Sequence, residues 1–541
     1  MKVAIRNMLD RVFTAMTALA VVFISLVLII VLGPMMWRGA SAVVFRGTIE
    51  FRKMQLDLFG RGNTARIEAE MNHAAAVRSV IYETIDKFNR GIDTESLCER
   101  ARKIHREFGE ELRHKDISSE EYTELRAITK DIRDRLETAF ASQDIEEIRE
   151  NIAYVLKFKD DARFDKTIAE EFFRLAADFQ KTAETIDLHK FHQYSQSLEQ
   201  VEKVLSQLLG HPPGSALPAL VMERYGATRW EQAQKLLDEL LWVETWIEDR
   251  PGKPLVKIRT RRAEQFTGTQ LQPLFGYIEK NLHKMLKPKL TCYWQFFIDD
   301  NIDGHYFGGV GPELLGTLLI TVLGMLFAIP LGLVSAAYLV ECSSDGLIIR
   351  IIRMCINTLA GVPSIVFGLF GLAFFVLFLF PLLGRESKAC ILAASMTLAI
   401  LTLPVMIRAS EEAIRAVPQT YKEASLALGA SRFRTFVAVT LPAALPGILT
   451  GIMLSLSRIA GETAPVLFTG AVAMGPVPKS VFDPTRTLSY GSYDMAVGDR
   501  IAMMVPHNQY GMVVTLIVLI LCLNAFAIIL RSRIFKKLQG H

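Results

Sequence analysis

The sequence predicts an all-α polytopic membrane protein: six transmembrane helices, with a large, mainly helical extracytoplasmic domain between the first and second. Three observations predict it. Six apolar runs each approach or exceed the ~20 residues that cross a hydrocarbon core. A polar tract, residues 38–305, separates the first run from the other five. The basic residues of the connections fall on one side of the membrane in a single topology. Composition agrees. The chain of 541 residues is 50% hydrophobic yet 22% charged, with a mean hydropathy of +0.26, the mixture expected of membrane helices joined to a soluble part. A net charge of +4 leaves no basic footprint for a nucleic-acid partner.

The first element follows Lys2, Arg6 and Arg11 and runs apolar from Val12 to Met36, ending at Trp37. That core is too long for a cleaved signal peptide and long enough to span, so residues 1–37 are expected to be an uncleaved helix starting inside the cell. Residues 38–305 then turn polar. Helices are expected over 64–89, 94–113, 118–141, 144–157, 162–183 and 187–209, with Asp144 and Asp161 as N-caps. Leu125, Ile128, Ile132 and Leu136 repeat at three and four residues, one face of a helix. His211-Pro212-Pro213-Gly214 breaks the pattern, and 215–305 read as mixed, with Trp230, Trp242 and Trp246 on helical segments as packing residues. Asp299-Asp300-Asn301-Ile302-Asp303-Gly304 imitates half of a calcium loop. The twelfth position is Val310 where a bidentate Glu is required, so a polar turn is expected and no metal. Cys98 and Cys292 share the polar tract, where an oxidising compartment would let them pair; Cys390 and Cys522 lie in apolar runs.

Residues 306–541 are expected to form a five-span core, with apolar runs at 313–340, 352–382, 389–408, 446–468 and 512–530. Starting inside, the count places the 341–353 link, the connection between spans four and five, and the tail with Arg531, Arg533, Lys536 and Lys537 on the inner face. Both termini are then cytoplasmic and 38–305 lies outside. The chain has no G-x-x-x-x-G-K-[ST], so it is not expected to hydrolyse ATP or to be an enzyme.

The connection at about 411–446 carries the most specific pattern: Glu423-Ala424-Ser425, three residues, Gly429, nine residues, Val439, one residue, Leu441-Pro442. It predicts a helix to Leu428, a left-handed break at Gly429, and a second helix over Arg432–Val439 that turns at Pro442 and Pro446. The spacing resembles the EAA loop of ABC-importer permeases, departing from it at Ser425 and Val439. The resemblance implies that this loop docks on a separate ATPase.

Span five carries Arg458-Ile459-Ala460-Gly461-Glu462-Thr463-Ala464-Pro465. At about 1.5 Å per residue from Pro446, Arg458 lies roughly 18 Å along the span. A charge there faces a partner or a polar path. Its planar fork suits a phosphate or sulfate oxygen, with Glu462 one turn away to tune or gate it, or else the two form a structural pair. Arg408, at the end of span four, is a second path residue or an interfacial anchor. Gly361, Pro363, Gly368, Gly461 and Pro465 are bend points or packing sites.

Together with Ala360-Gly361-Val362-Pro363-Ser364-Ile365-Val366-Phe367-Gly368-Leu369-Phe370, the Arg458–Pro465 segment resembles the PstA family, permease subunits of bacterial phosphate ABC importers. The likeness covers about 308–535 and the first span. It implies an inner-membrane location, a PstC-like second permease, a PstB-like ATPase dimer holding ATP and Mg, and a periplasmic PstS-like binding protein. It also implies a tie to the PhoU regulator, with no cofactor bound by this chain itself. It implies a role in phosphate transport for Arg408 and Arg458. The long insert marks a subset of the family and receives no function from the resemblance; docking or assembly is the reading for it. Two rivals stay open: a permease for sulfate, molybdate or phosphonate, and a membrane receptor with a helical outer sensor.

Overall fold

The computed structural model describes residues 2–92, 94–114, 118–142, 144–184, 191–210, 227–247, 256–302, 304–343, 346–497 and 505–538. His211–Gly214 and Asp303 lie outside these. The chain divides into two compact units, Met1–Phe45 with Thr291–His541, and Arg46–Leu290.

The first unit contains six helices long and apolar enough to cross a membrane: Arg11–Ala40, Gly311–Cys342, Ser364–Leu382, Ile391–Arg415, Arg432–Gly461 and Pro506–Lys536. None of the apolar window of the first is buried within the chain, so that surface is left to lipid or to another subunit. The fourth is the most enclosed. Its contact with the fifth rests on absent side chains. A Cβ on Gly447 would stand 2.6 Å from that of Ala413, and one on Gly451 2.6 Å from that of Ala409. These two pairs set an antiparallel register and a close backbone approach. Two buried threonine hydroxyls of the fourth span return to their own helix: Thr397 Oγ1 donates to Ala393 O at 2.7 Å and Thr402 Oγ1 to Leu398 O at 3.0 Å. No polar group of theirs is then left bare in an apolar interior.

Two spans differ from expectation. The run 352–382 is two elements, a helix over Leu347–Leu359 and the span Ser364–Leu382, parted by a turn at Ala360–Val362. Pro363 supplies no N–H and drives Val362 out of the helical region, which breaks the run. Gly361 sits in that turn, whereas Gly368 is a packing site: a Cβ there would meet Pro465 Cα at 2.9 Å. Span five begins at Arg432, not at 446. Pro442 lies in the first turn of the helix Leu441–Gly461, and the π-helical segment Phe436–Thr440 joins it to the helix before it. The widened turn absorbs the proline's missing donor and ring, so Pro442 and Pro446 lie within a continuous helix and mark no turn.

The second unit is helical around one core in which Phe88, Phe108, Phe164, Phe172, Phe179 and Phe266 are fully buried. Each such ring contributes ~1.5–3 kcal/mol on burial. Helices lie at Thr64–Ile92, Thr94–Arg113, Ser119–Ala141, Ile145–Leu156, Glu170–Ala183 and Phe191–Leu209. Leu125, Ile132 and Leu136 point inward as the periodicity predicts. Asp144 caps its helix, accepting from Glu146 N at 3.0 Å. Asp161 does not cap a helix. It grips Arg163, the chain turns at Lys166 with φ +58°, and the helix starts only at Glu170. Trp230 opens a helix, but Trp242 and Trp246 lie on a strand, Trp242–Ile247, paired antiparallel with Val256–Arg261. Trp246 is 62% exposed, not a packing residue. Cys98 and Cys292 are free thiols.

Candidate functional site

The hairpin is built by local backbone chemistry. Pro418 precedes a helix over Gln419–Ala427. Gly429 then takes φ +85°. Its N–H donates to Leu426 O at 2.9 Å and the Ala430 N–H to Ser425 O at 3.2 Å. This is the Schellman closure, and it needs a residue without a Cβ penalty at Gly429. Ser431 starts the return helix by accepting from Arg434 N at 3.3 Å. The Ser425 and Thr435 hydroxyls, 3.0 Å apart, tie the two arms. Glu423 and Ala424 are exposed, and Leu441 and Pro442 are half-buried where the return arm becomes span five. Leu428 at 90% and Phe433 at 77% exposure crown the bend with apolar surface. Among the described residues nothing covers them, which is the form of a surface awaiting another subunit.

The hairpin does not hang free. Lys422 Nζ donates to Glu341 Oε1 at 2.5 Å, and Glu341 lies in the π-helical end of span two, Tyr338–Cys342. A second cluster adjoins that end: Arg353 Nη2 meets Glu411 Oε1 at 3.2 Å and donates to Leu339 O at 3.1 Å, while Arg415 meets the same Glu411 at 2.7 Å. Sequence reasoning noted Lys422 and Arg353 only as basic residues of their loops and paired none of the five. Lys422 and Glu341 are 81 positions apart, and no local pattern relates them.

Near the end of span five, Arg458 Nε lies 3.6 Å from Glu462 Oε1, both side chains half-buried. They do not share one helix: the helix ends at Gly461, and Glu462 is extended at φ −76°, ψ 127°. Pro465 has no N–H to give the Gly461 carbonyl, so the run restarts as a short helix at Ala464–Thr469. With span five starting at Arg432, Arg458 stands about 39 Å along it, three residues before its end. The neighbouring Ser457 is tied to Asn524 of span six, whose Nδ2 donates to Ser457 Oγ at 2.9 Å. Arg408 is exposed on span four, its Nε donating to Asn357 Oδ1 at 2.8 Å. The 413–447 and 409–451 register sets residue 402 level with 458, so Arg408 lies about 9 Å further along the helix axes. The structure brings Arg458 to Glu462 and Arg408 to Asn357, and leaves the two arginines apart.

Apolar spans, a Schellman-closed hairpin and an interrupted span with a half-buried arginine define a transport permease. Residues 318–540 match the family described as binding-protein-dependent transport system inner membrane component. The chain is 35% identical over 246 residues to the probable ABC transporter permease protein YqgI of Bacillus subtilis, covering 43% of this chain and 81% of that one. It is 34% identical over 249 residues to the phosphate transport system permease protein PstA of Mycobacterium leprae, covering 46% and 79%. With PstA 1 of Mycobacterium tuberculosis the identity is 41% over 175 residues, 32% of this chain and 55% of that one. The chain belongs to the PstA-type family of ABC transporter permeases.

Proposed function

We propose that this chain is the permease subunit of an ATP-driven phosphate importer of a bacterial inner membrane, with both termini cytoplasmic and residues 38–305 outside. It forms the path with a PstC-like permease. A PstS-like protein delivers phosphate, and a PstB-like ATPase dimer, which carries the ATP and Mg, receives the hairpin. A link to a PhoU-like regulator belongs to the same reading. The observation that carries it is the Gly429-closed hairpin, clamped to span two and continuous with span five, in a chain whose relatives are named for phosphate transport. ATP closes the motor, the hairpin around Glu423 moves with it, and the membrane helices alternate between outward and inward access. Arg458 offers its fork to the passing oxyanion while Glu462 competes for it. Arg408, held by Asn357, is a second station on the path.

Labelled-phosphate uptake in cells lacking their own copy of this subunit tests the reading, with wild type beside R458A and excess sulfate as competitor. Uptake that needs Arg458 and ignores sulfate supports phosphate and the site. Uptake indifferent to R458A returns that residue to a structural pair. No phosphate uptake, with the protein inserted and its partner subunits present, moves the substrate to sulfate, molybdate or phosphonate.

A further inference from the structure

We infer, on the reading above that Arg458 meets the passing oxyanion, that Ser489 and Thr317 are positioning residues: through them the connection between spans five and six holds Glu462 against Arg458. Glu462 and Thr463 lie between the helix that ends at Gly461 and the one that starts at Ala464. Residues between two helices can turn about their own φ and ψ, so the place of the Glu462 carboxylate depends on what grips its backbone. Within its own span, the Glu462 N–H donates to Ile459 O at 3.4 Å. From a different part of the chain, Ser489 Oγ donates to the Glu462 carbonyl at 3.3 Å. Ser489 is 5% exposed and lies on the helix Leu488–Val497 of the connection.

The helix that carries Ser489 is itself fixed. Thr487 caps it, its Oγ1 accepting from Tyr490 N at 3.3 Å and its carbonyl from Gly491 N at 2.8 Å. The first N–H of a helix has no partner within that helix. Here it belongs to Leu488 and donates to Thr317 Oγ1 of span two at 2.9 Å, while the same hydroxyl donates to Glu313 O at 2.8 Å. Thr317 is buried, so this bond is made away from bulk water. Gly316 lets the two backbones meet, because a Cβ there would run into the Arg486 carbonyl. Arg486 adds a charged tie, its Nη2 2.7 Å from Asp300 Oδ1 and its Nη1 3.7 Å from Glu313 Oε1. Nearer span five, the connection also caps span four: Ile391 N donates to Asp483 O at 3.0 Å and Leu392 N to Val481 O at 2.9 Å. Thr485 N donates to Gly470 O at 3.0 Å, just beyond the short helix that follows Glu462.

The contacts therefore run from span two, through Thr317, Leu488 and Ser489, to the backbone of Glu462 and so to Arg458. Ser489 directly follows Leu488, and a shift of the helix start by about 1 Å takes the Ser489 bond beyond hydrogen-bonding reach. With the connection seated, the Glu462 carboxylate stays beside the guanidinium, and an engaged fork has fewer donors to offer a second anion. With the connection lifted, as by a protein docking on the face that the proposed topology puts outside, Glu462 swings away and the fork is free for the oxyanion. The outer opening of the path and the readiness of its arginine are then one equilibrium.

Phenylglyoxal, which reacts with the free arginine side chain, reads this without phosphate. The full chain is labelled in membranes, and the rate at Arg458 is taken by mass spectrometry of its peptide, with Arg408 in the same sample as the reference. E462A sets the rate of an unpaired Arg458. S489A and T317V should each raise the Arg458 rate about two- to tenfold toward that limit, the shift that one net hydrogen bond carries, and leave Arg408 unchanged. T317S keeps the hydroxyl and should match wild type. S489A added to E462A should change nothing further. Wild-type rates in S489A and T317V, beside a faster E462A, overturn the positioning role and leave the Arg458–Glu462 pair standing. A wild-type rate in E462A overturns the pair and the positioning role with it. An equal rise at Arg408 marks general loosening and also overturns it. Phosphate uptake in wild type and R458A is read separately, so a failure of the transport reading is told apart from a failure here.

Discussion

Replacing Gly429 isolates one torsion angle. Its φ of +85° lies where an L side chain clashes with its own backbone, and a Cβ built there meets nothing within 4 Å. The penalty is therefore conformational, with no packing contribution from this chain. For Ala it is ~1–2 kcal/mol, which shifts the ratio of closed to opened hairpin by about 5–30-fold. Asn tolerates the left-handed region and should recover much of that. The assay is phosphate uptake together with ATP hydrolysis by the assembled transporter. G429A should lower uptake per ATP hydrolysed several-fold while membrane insertion stays unchanged, and G429N should fall between Ala and wild type. G429W adds bulk where this chain has open space. Its effect beyond that of Ala reports a partner surface at the bend. Equal coupling in wild type, G429A and G429W would refute both the backbone argument and the assignment of the hairpin as the coupling element.

Three further outcomes follow from other contacts. Lys422, whose side chain is 11% exposed, holds Glu341; K422A should cost ~1–2 kcal/mol at the hairpin and reduce uptake, while the swap K422E with E341K should restore part of it, read by the same assay. His305 is 3% exposed, and burial with the nearby Arg486 charge holds its imidazole down to about 4. Above pH 6.5 both folded and unfolded forms are neutral there. Between pH 6.5 and 4 only the unfolded form takes the proton, so stability falls by up to about 3 kcal/mol. H305N should flatten the melting-temperature slope in that window, and Asn suits the residue's φ of +73°. G451L should separate spans four and five, because its Cβ would already stand 2.6 Å from that of Ala409; loss of folded protein on detergent size exclusion is the readout.

The membrane helices were legible because a span of hydrocarbon demands an apolar run of fixed length, and composition alone records that. The Gly429 break was legible for a similar reason, since only a few residue types accept its backbone. The boundaries were less so. Pro442 reads as a turn in a sequence, yet the π-helical segment at Phe436–Thr440 lets the helix run through it. Pro363 reads as a bend within one helix and instead separates two. Asp161 has the chemistry of a cap, but Arg163, two residues on, takes its carboxylate. Trp242 and Trp246 could be assigned to a helix because nothing local declares the strand at Val256–Arg261 that pairs with them. Arg458 and Glu462 were found by their cost in an apolar run, whereas Lys422–Glu341 and Arg408–Asn357 arise from chain crossings that periodicity does not encode.

The continuity of the fifth span has a mechanical meaning. Thirty residues from Arg432 to Gly461 make a rod about 45 Å long, with the hairpin's return arm at one end and Arg458 near the other. A displacement applied beside Ser431 has no loop in which to dissipate. It arrives at Arg458 as the same translation or as a swing about whatever point of the rod is pinned. Along that rod, Gly447 and Gly451 pack closely against Ala413 and Ala409 of the fourth span. Along the same rod the backbone departs from α-helical hydrogen bonding at the π-helical segment Phe436–Thr440, the place where such a rod bends most readily.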